Sequence, residues 1–333
     1  MVESTHDGII TAVTADGSLV ASCGEPETIV YMRSSAKPFQ AVPILESGVR
    51  EAYDITDEEL AVICSSHSGT EEHVRVLEGL QARVGISESD LETGVHFPFD
   101  RETAQKLAVS GTTLTANRHN CSGKHTGMLA LAKRKEWPFE GYTRLEHPVQ
   151  QMSRAAVAEC CGLAPEDVVI GVDGCSVPTF ALPMKAAACG YARLMDPVWG
   201  DDDRRAAMNA VRGAMTAHPF LVAGPGRFDT ALMEATGGRI LAKGGAEGYQ
   251  AVGLPAGNLG SGLPAIGLTV KIRDGDHGKR AIPAVTLAVL AALSALTEEE
   301  MGALAPFAPR SLTNHAGIVV GELRTCFQLD WGL

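Results

Sequence analysis

Several absences narrow the reading of this sequence before any motif is considered. No apolar stretch is long enough to cross a bilayer. The longest mainly apolar run, Ala281 to Leu296, falls short of the roughly 20 residues a membrane helix needs and reads instead as a buried helix. Positive charge is not in excess: Lys and Arg number 28 against 40 Asp and Glu, for a net charge of -12. An acidic surface of this kind opposes nucleic acid and anionic membranes, so neither is expected as a partner. Met1 to Gly8 is polar, with neither the basic nor the apolar region of a signal peptide, and a cytoplasmic location is the expectation. The eight cysteines, at 23, 64, 121, 160, 161, 175, 189 and 326, follow no repeating spacing, so reduced thiols are expected rather than a disulfide framework. No internal repeat or low-complexity linker is present. Gly224-Pro225-Gly226-Arg227 and Gly257–Gly262 fit neither a Walker nor a dinucleotide fingerprint, so both read as loops and no nucleotide is expected.

What remains is an ordinary globular composition, 45% hydrophobic and 20% charged over 333 residues, enough for one large domain or two ordinary ones. Gly8–Thr14 and Ser18–Cys23 read as strands around an Asp16-Gly17 hairpin turn, and Thr28–Met32 as a third strand. A helix is expected from near Ser34 to Glu46, stopped by Gly48, with Pro38 in its first turn and Pro43 kinking or shortening it. Thr56-x-x-Glu59 is a capping box ahead of Leu60–Cys64. Thr70 is placed to cap a second helix, with Val74, Leu77 and Leu80 on one face and Gly85 at its end. Ala104–Val109, Met128–Lys133, Pro148–Cys161 and Arg204–Thr216 are further helical candidates. Arg239–Lys243, Tyr249–Gly253 and Ile266–Ile272 read as strands. The order predicts an α/β (α+β) domain from both ends of the chain, residues 1–60 and 185–333, with a mostly helical domain, 61–184, inserted and the active site between them.

Arg33-Ser34-Ser35-Ala36-Lys37 holds the only S-x-x-K of the chain. A lysine three residues on lies on the same helical face as the serine, and if burial depresses its pKa it can act as the base a poor hydroxyl nucleophile needs. Alone, the spacing is a weak signal and more often marks a capping serine beside an exposed lysine. Ser65-Ser66-His67-Ser68-Gly69 and Lys243-Gly244-Gly245 follow in the order of the serine-centred and K-T-G motifs of class A β-lactamases and penicillin-binding proteins, as a partial match. Asn117 to Met128 collects many reactive groups in a short space. Asp173-Gly174-Cys175-Ser176 follows an apolar strand, Val168–Val172. Cys121 and Cys175 together suit a soft metal, but two cysteines do not close a zinc site. His125 or Lys124 would have to join them, and a lysine ligates only after losing its proton.

Together these segments resemble the asparaginase II family, the zinc-associated, rhizobial-type class. The resemblance runs over nearly the whole chain: Glu3–Gly8, Arg33–Gln40, Ser65–Gly69, Asn120–His125, His147–Gln150, Asp173–Cys175 and Lys243–Gly248, in the family's order. It implies a fold similar to serine β-lactamases and glutaminases, with a mostly antiparallel sheet flanked by helices, a homodimer, and hydrolysis of L-asparagine to L-aspartate and ammonia. It implies two serine–lysine tandems, Ser34 with Lys37 and Ser66 with Lys243. It also implies zinc on Cys121, Lys124 and Cys175, and substrate binding at Arg33, His125 and Asp173. Members usually carry a longer lead-in before the first motif, so a shortened first strand is expected.

On this reading Ser34 attacks the side-chain amide with Lys37 as base, and Ser66 and Lys243 relay protons to the leaving ammonia. Zinc is expected beside the substrate without being essential for the chemistry. The alternatives are a glutaminase or other β-lactamase-like acyl hydrolase, and a non-catalytic zinc- or amino-acid-binding protein that makes no use of the serines. Two complete serine–lysine pairs favour the enzyme.

Overall fold

A computed structural model describes residues 1–196 and 200–332. Three strands open the chain, β1 (Gly8–Thr14), β2 (Leu19–Cys23) and β3 (Ile29–Tyr31). A 3-10 turn at Arg33–Ala36 leads into α1 (Lys37–Glu46), and the short α2 (Val49–Ala52) follows. Then come α3 (Asp57–Ile63), α4 (Glu71–Val84), α5 (Arg101–Ser110), α6 (Ser122–Arg134) and α7 (Pro148–Cys160). Strands β4 (Val169–Val172) and β5 (Pro178–Pro183) precede α8 (Met184–Met195), α9 (Asp202–Ala217), α10 (Pro219–Val222) and α11 (Phe228–Ala235). β6 (Leu241–Gly245), β7 (Tyr249–Leu254) and β8 (Ile266–Ile272) follow, then α12 (Ala281–Ala292) and α13 (Glu298–Ala303). The chain closes with β9 (Arg310–Thr313), β10 (Val319–Leu323) and β11 (Asp330–Trp331).

The main sheet runs β11-β2-β1-β8-β7-β6, antiparallel throughout. It joins both ends of the chain, because β1 lies between its hairpin partner β2 and the distant β8. The sheet flanked by helices is the α/β architecture that the order of elements predicts. β1 is not shortened: it pairs with β8 along its whole length, Gly8 opposite Ile272 to Thr14 opposite Ile266. A second sheet, β3-β5-β4, pairs a strand from the first stretch with two from the middle. The two units expected from the sequence therefore share a sheet.

Helix α8, which the periodicity does not announce, packs against β8, β1 and β7. It lies so close that a Cβ on Gly267 would stand 1.7 Å from the Ala188 carbonyl oxygen. Only glycine allows that approach. Leu268 and Val270 point to the opposite face and are equally buried, so the sheet is covered on both sides.

Local signals place the helices well. The Thr56/Glu59 capping box forms, and so does the one at Thr297 and Glu300. Gly85 ends α4 in the left-handed conformation at φ 72°. The buried face of α4 is His73, Val76, Leu77, Leu80, Gln81 and Val84, so Val74 sits at its margin rather than within it. Pro43 does not stop α1, which runs on to Glu46 with Pro43 buried inside it. Helix α6 starts at Ser122, six residues before the predicted Met128, because Gly123 lets it press against α3. A Cβ there would lie 2.1 Å from the Val62 carbonyl oxygen. That contact fixes the depth of Lys124 and His125, which follow directly.

Candidate active site

Two lysines from distant parts of the chain meet on one hydroxyl. Lys37 is the first residue of α1 and Lys243 lies in β6; both are buried, at 1% and 0% exposure. Lys37 Nζ is 3.1 Å from Ser66 Oγ, and Lys243 Nζ is 2.9 Å from the same oxygen. Ser66 is held by its backbone N–H, which donates to the Val222 carbonyl at 2.9 Å. Lys37 Nζ also donates to the carbonyls of Ser65 and, at 3.2 Å, Asn120, while Lys243 Nζ donates to Gly244 O at 2.9 Å.

Burial disfavours the charged form of both amines. It is the main cause of the lowered pKa of Lys37. For Lys243 the same cause, opposed by Asp229 and reinforced by Lys37 and Arg227, brings the pKa down to about 7. Lys243 is therefore partly neutral near neutral pH and can accept a proton from Ser66.

Ser34 is half-buried and lines the same cleft as Ser66. No hydrogen bond joins its hydroxyl to Lys37 among the described residues. The reason is tertiary: the Ser65 and Asn120 carbonyls offer the buried amine the acceptors it needs, and they draw the Lys37 side chain inward, away from Ser34. The structure thus gathers Ser34, Ser66, Lys37 and Lys243 at one site, with both amines on the second serine.

Beside this cluster Arg33 and Asp173 form an ion pair, Nη2 to Oδ1 2.7 Å and Nε to the same oxygen 3.2 Å. Arg33 has a left-handed backbone, φ 52°, a conformation that costs a non-glycine residue energy and persists only where its surroundings hold it. Burial works against the Asp173 charge, but Arg33 and Lys124 outweigh it and the carboxylate pKa is lowered. Glu247 adds its field to that of Asp173 at Arg33.

Cys121, Lys124 and Cys175 also come together. Lys124 Nζ lies 3.1 Å from Cys175 Sγ, and the two thiols influence one another's protonation. The neighbouring thiol, with Lys37 and Lys124 nearby, lowers the Cys121 pKa, while Cys121 and burial raise that of Cys175. Burial opposes the Lys124 charge, but the two sulfurs and Asp173 overcome it and raise the pKa. Among the described residues no group of three His, Cys, Asp or Glu is placed to hold a metal. The donors available are two soft sulfurs and an amine, a chemistry that fits zinc once the amine has lost its proton.

His125 lies behind this centre and is fully buried, which holds its pKa well below the usual value. Tyr142 Oη accepts the Glu92 N–H at 2.9 Å and stands 2.6 Å from His125 Nδ1. His125 Nε2 is buried with no partner among the described residues.

The open cleft, about 390 Å³, is lined by Ser34, Ser66 and Asn120, and also by residues to which sequence reasoning gave no role. Chief among these are Phe99, Arg227, Asp229 and Lys279. Asp229 accepts the Gly244 N–H at 2.8 Å and Gln250 Nε2 at 2.9 Å, fixing the strand that carries Lys243. The one available signal for Arg227 was a cation inside the glycine-rich stretch Gly224–Arg227, which reads as a plain loop.

A family model described as L-asparaginase II matches residues 1–325 of the chain. No curated protein matches it. Among solved structures, a Bacillus glutaminase crystallised in 4.3 M NaCl is 12% identical over 81% of this chain and 84% of its own, with a TM-score of 0.33. A probable glutaminase from Bacillus subtilis, complexed with 6-diazo-5-oxo-L-norleucine, is 12% identical over 81% and 78%, with a TM-score of 0.30.

Proposed function

The chain belongs to the L-asparaginase II family, and from that premise we propose that this amidohydrolase cleaves the side-chain amide of L-asparagine to L-aspartate and ammonia. The observation that carries the reading is the placement of two buried lysine amines within 3.1 Å of Ser66 Oγ, in a cleft that Ser34 shares. A non-catalytic binding protein has no use for two buried lysines, both with lowered pKa, held on one serine hydroxyl.

In the proposed mechanism Ser34 is the nucleophile, because it lines the cleft and its hydroxyl is free of hydrogen bonds among the described residues. Its proton passes into the Lys37–Ser66–Lys243 cluster, where the neutral Lys243 amine accepts it by way of Ser66. The same cluster returns a proton to the leaving ammonia. Water then cleaves the ester, its hydroxyl ending on aspartate and its proton restoring the serine. A second reading makes Ser66 the nucleophile, favoured by its direct contact with both amines.

Arg33, with Asp173 and Glu247 beside it, offers both signs of charge at one end of the site. That suits an α-carboxylate and an α-ammonium together. His125, whose Nε2 has no partner among the described residues, would supply a further polar contact to the substrate. Zinc, when held by Cys121, Lys124 and Cys175, would supply positive charge to fix the substrate; the serines already provide a nucleophile.

The test is ammonia release from L-asparagine and L-glutamine, with mass spectrometry of rapidly quenched enzyme to find the acylated serine. Glutamine is one methylene longer, a difference a pocket discriminates by about 10–200-fold. Faster release from glutamine would move the assignment to glutaminase. An adduct on the Ser66 peptide would favour the second mechanism, and no ammonia from either amide would refute the reading.

A further inference from the structure

The cleft that holds Ser66 also holds two cations without ion-pair partners among the described residues, Arg227 and Lys279. Contacts connect them to the serine. Lys37 and Lys243 flank Ser66 Oγ, Gly244 beside Lys243 donates to Asp229, and Arg227 precedes Asp229 by two residues. Arg227 and Lys279 both lie over the ring of Phe99, at 5.8 and 5.4 Å from its centroid. Arg227 Nη1 is buried with no hydrogen-bond partner among the described residues. Three carboxylates line the cleft as well: Asp229, which accepts from the Gly244 N–H and Gln250; Asp276, which accepts from the backbone N–H groups of Arg280, Ala281 and Ile282; and Glu247, whose field acts on Arg33.

The two places differ in how their charges are committed. At Arg33 the cation is paired with Asp173, so both signs of charge stand ready for a free amino acid head. Arg227 and Lys279 have no ion pair among the described residues and remain available to a carboxylate, while Asp229 and Asp276 are held by backbone N–H groups and Gln250. Phe228, Phe307, Ile282 and Pro283 supply an apolar wall to the same cleft. Its volume of about 390 Å³ lies in the range of about 300–1,000 Å³ that holds ligands much larger than one small amino acid.

An amino acid whose amine is already part of an amide bond has this combination: one carboxylate, no ammonium and a side chain. We propose that Arg227, Lys279 and the apolar wall beside Phe99 form a leaving-group subsite for an amino acid, so that the protein also hydrolyses β-aspartyl dipeptides with an apolar second residue. The proposal rests on the amidohydrolase reading and extends it to the leaving group. The serine oxygen bonds to the β-carbonyl carbon and the carbon–nitrogen bond breaks. The leaving amine takes the proton that the serine gave to the lysine cluster, and one water then hydrolyses the ester. The products are aspartate and the second amino acid.

The probe is β-aspartyl-leucine, with leucine release measured beside ammonia release from asparagine on the full-length protein. Leucine release is expected. Lys279→Gln and Arg227→Gln are each expected to lower kcat/KM for the dipeptide at least tenfold more than for asparagine, and Lys279→Arg to recover most of that loss. Two substitutions at separate positions keep the comparison informative if one of them impairs folding. Asparagine turnover with neither cleavage nor competitive inhibition by the dipeptide would overturn the subsite alone, as would variants that depress both substrates equally. Leucine release without asparagine turnover would uphold the subsite and overturn the asparagine assignment. Release from neither would overturn both.

Discussion

The buried amine of Lys243 ties folding stability to proton uptake, and replacing it with methionine should uncouple the two. Lys243 is fully buried, and its pKa falls from the ordinary 10.5 to about 7, with burial the leading cause. In the folded protein the amine loses its proton near pH 7, whereas in the unfolded chain it holds the proton up to 10.5. Between those values the unfolded chain binds more protons, so stability rises with pH across the window and the full cost of the buried charge is felt below about pH 7. At about 1.4 kcal/mol per pH unit the whole window is worth about 5 kcal/mol. The part lying between pH 6 and pH 9 is worth about 3 kcal/mol. Lys243→Met keeps a side chain of similar length without a titrating group. Urea unfolding of both proteins at pH 6 and pH 9 measures the effect. The wild type should gain about 3 kcal/mol more than the variant on going to pH 9, and the variant should be inactive at both. Equal pH dependence in the two proteins would refute a lysine whose charge is suppressed by burial, and with it the proton acceptor of the proposed mechanism.

The same titration predicts kcat/KM for asparagine rising about tenfold per pH unit below pH 7 and levelling off above it; a flat profile from pH 5 to 8 would contradict this. Ser34→Ala should abolish turnover while changing stability by less than about 0.5 kcal/mol, because its hydroxyl makes no hydrogen bond among the described residues; a retained tenth of wild-type kcat would exclude it as nucleophile. Gly267→Ala should destabilise by about 3 kcal/mol or more, since the added Cβ meets the Ala188 carbonyl oxygen at 1.7 Å, and a melting temperature within two or three degrees of wild type would show that α8 can move away. Zinc should co-purify at pH 8 and be lost in Cys121→Ser and Cys175→Ser, with chelation raising KM more than it lowers kcat; no zinc in the wild type would remove the site.

The sequence by itself determined the local elements and the cast of reactive groups. The Asp16-Gly17 hairpin, the Thr56/Glu59 capping box and the Gly85 stop are set by neighbours within a few residues, and all form as read. The motif order carries the family and singles out Ser34, Lys37, Ser66 and Lys243. Only tertiary structure decided where the lysines point. The acceptors that draw Lys37 away from Ser34 lie 28 and 83 residues along the chain, at Ser65 and Asn120, and Lys243 reaches Ser66 across 177 residues. Helix α8 stayed hidden for a related reason. Its position depends on the close approach that Gly267 allows in a strand about eighty residues further on, and local periodicity carries no trace of it. Arg227 and Lys279 are solvated surface cations by every local rule. They gain a shared place beside Phe99 only because two distant loops close over the same cleft, and pairing of that kind depends on the fold rather than on sequence spacing.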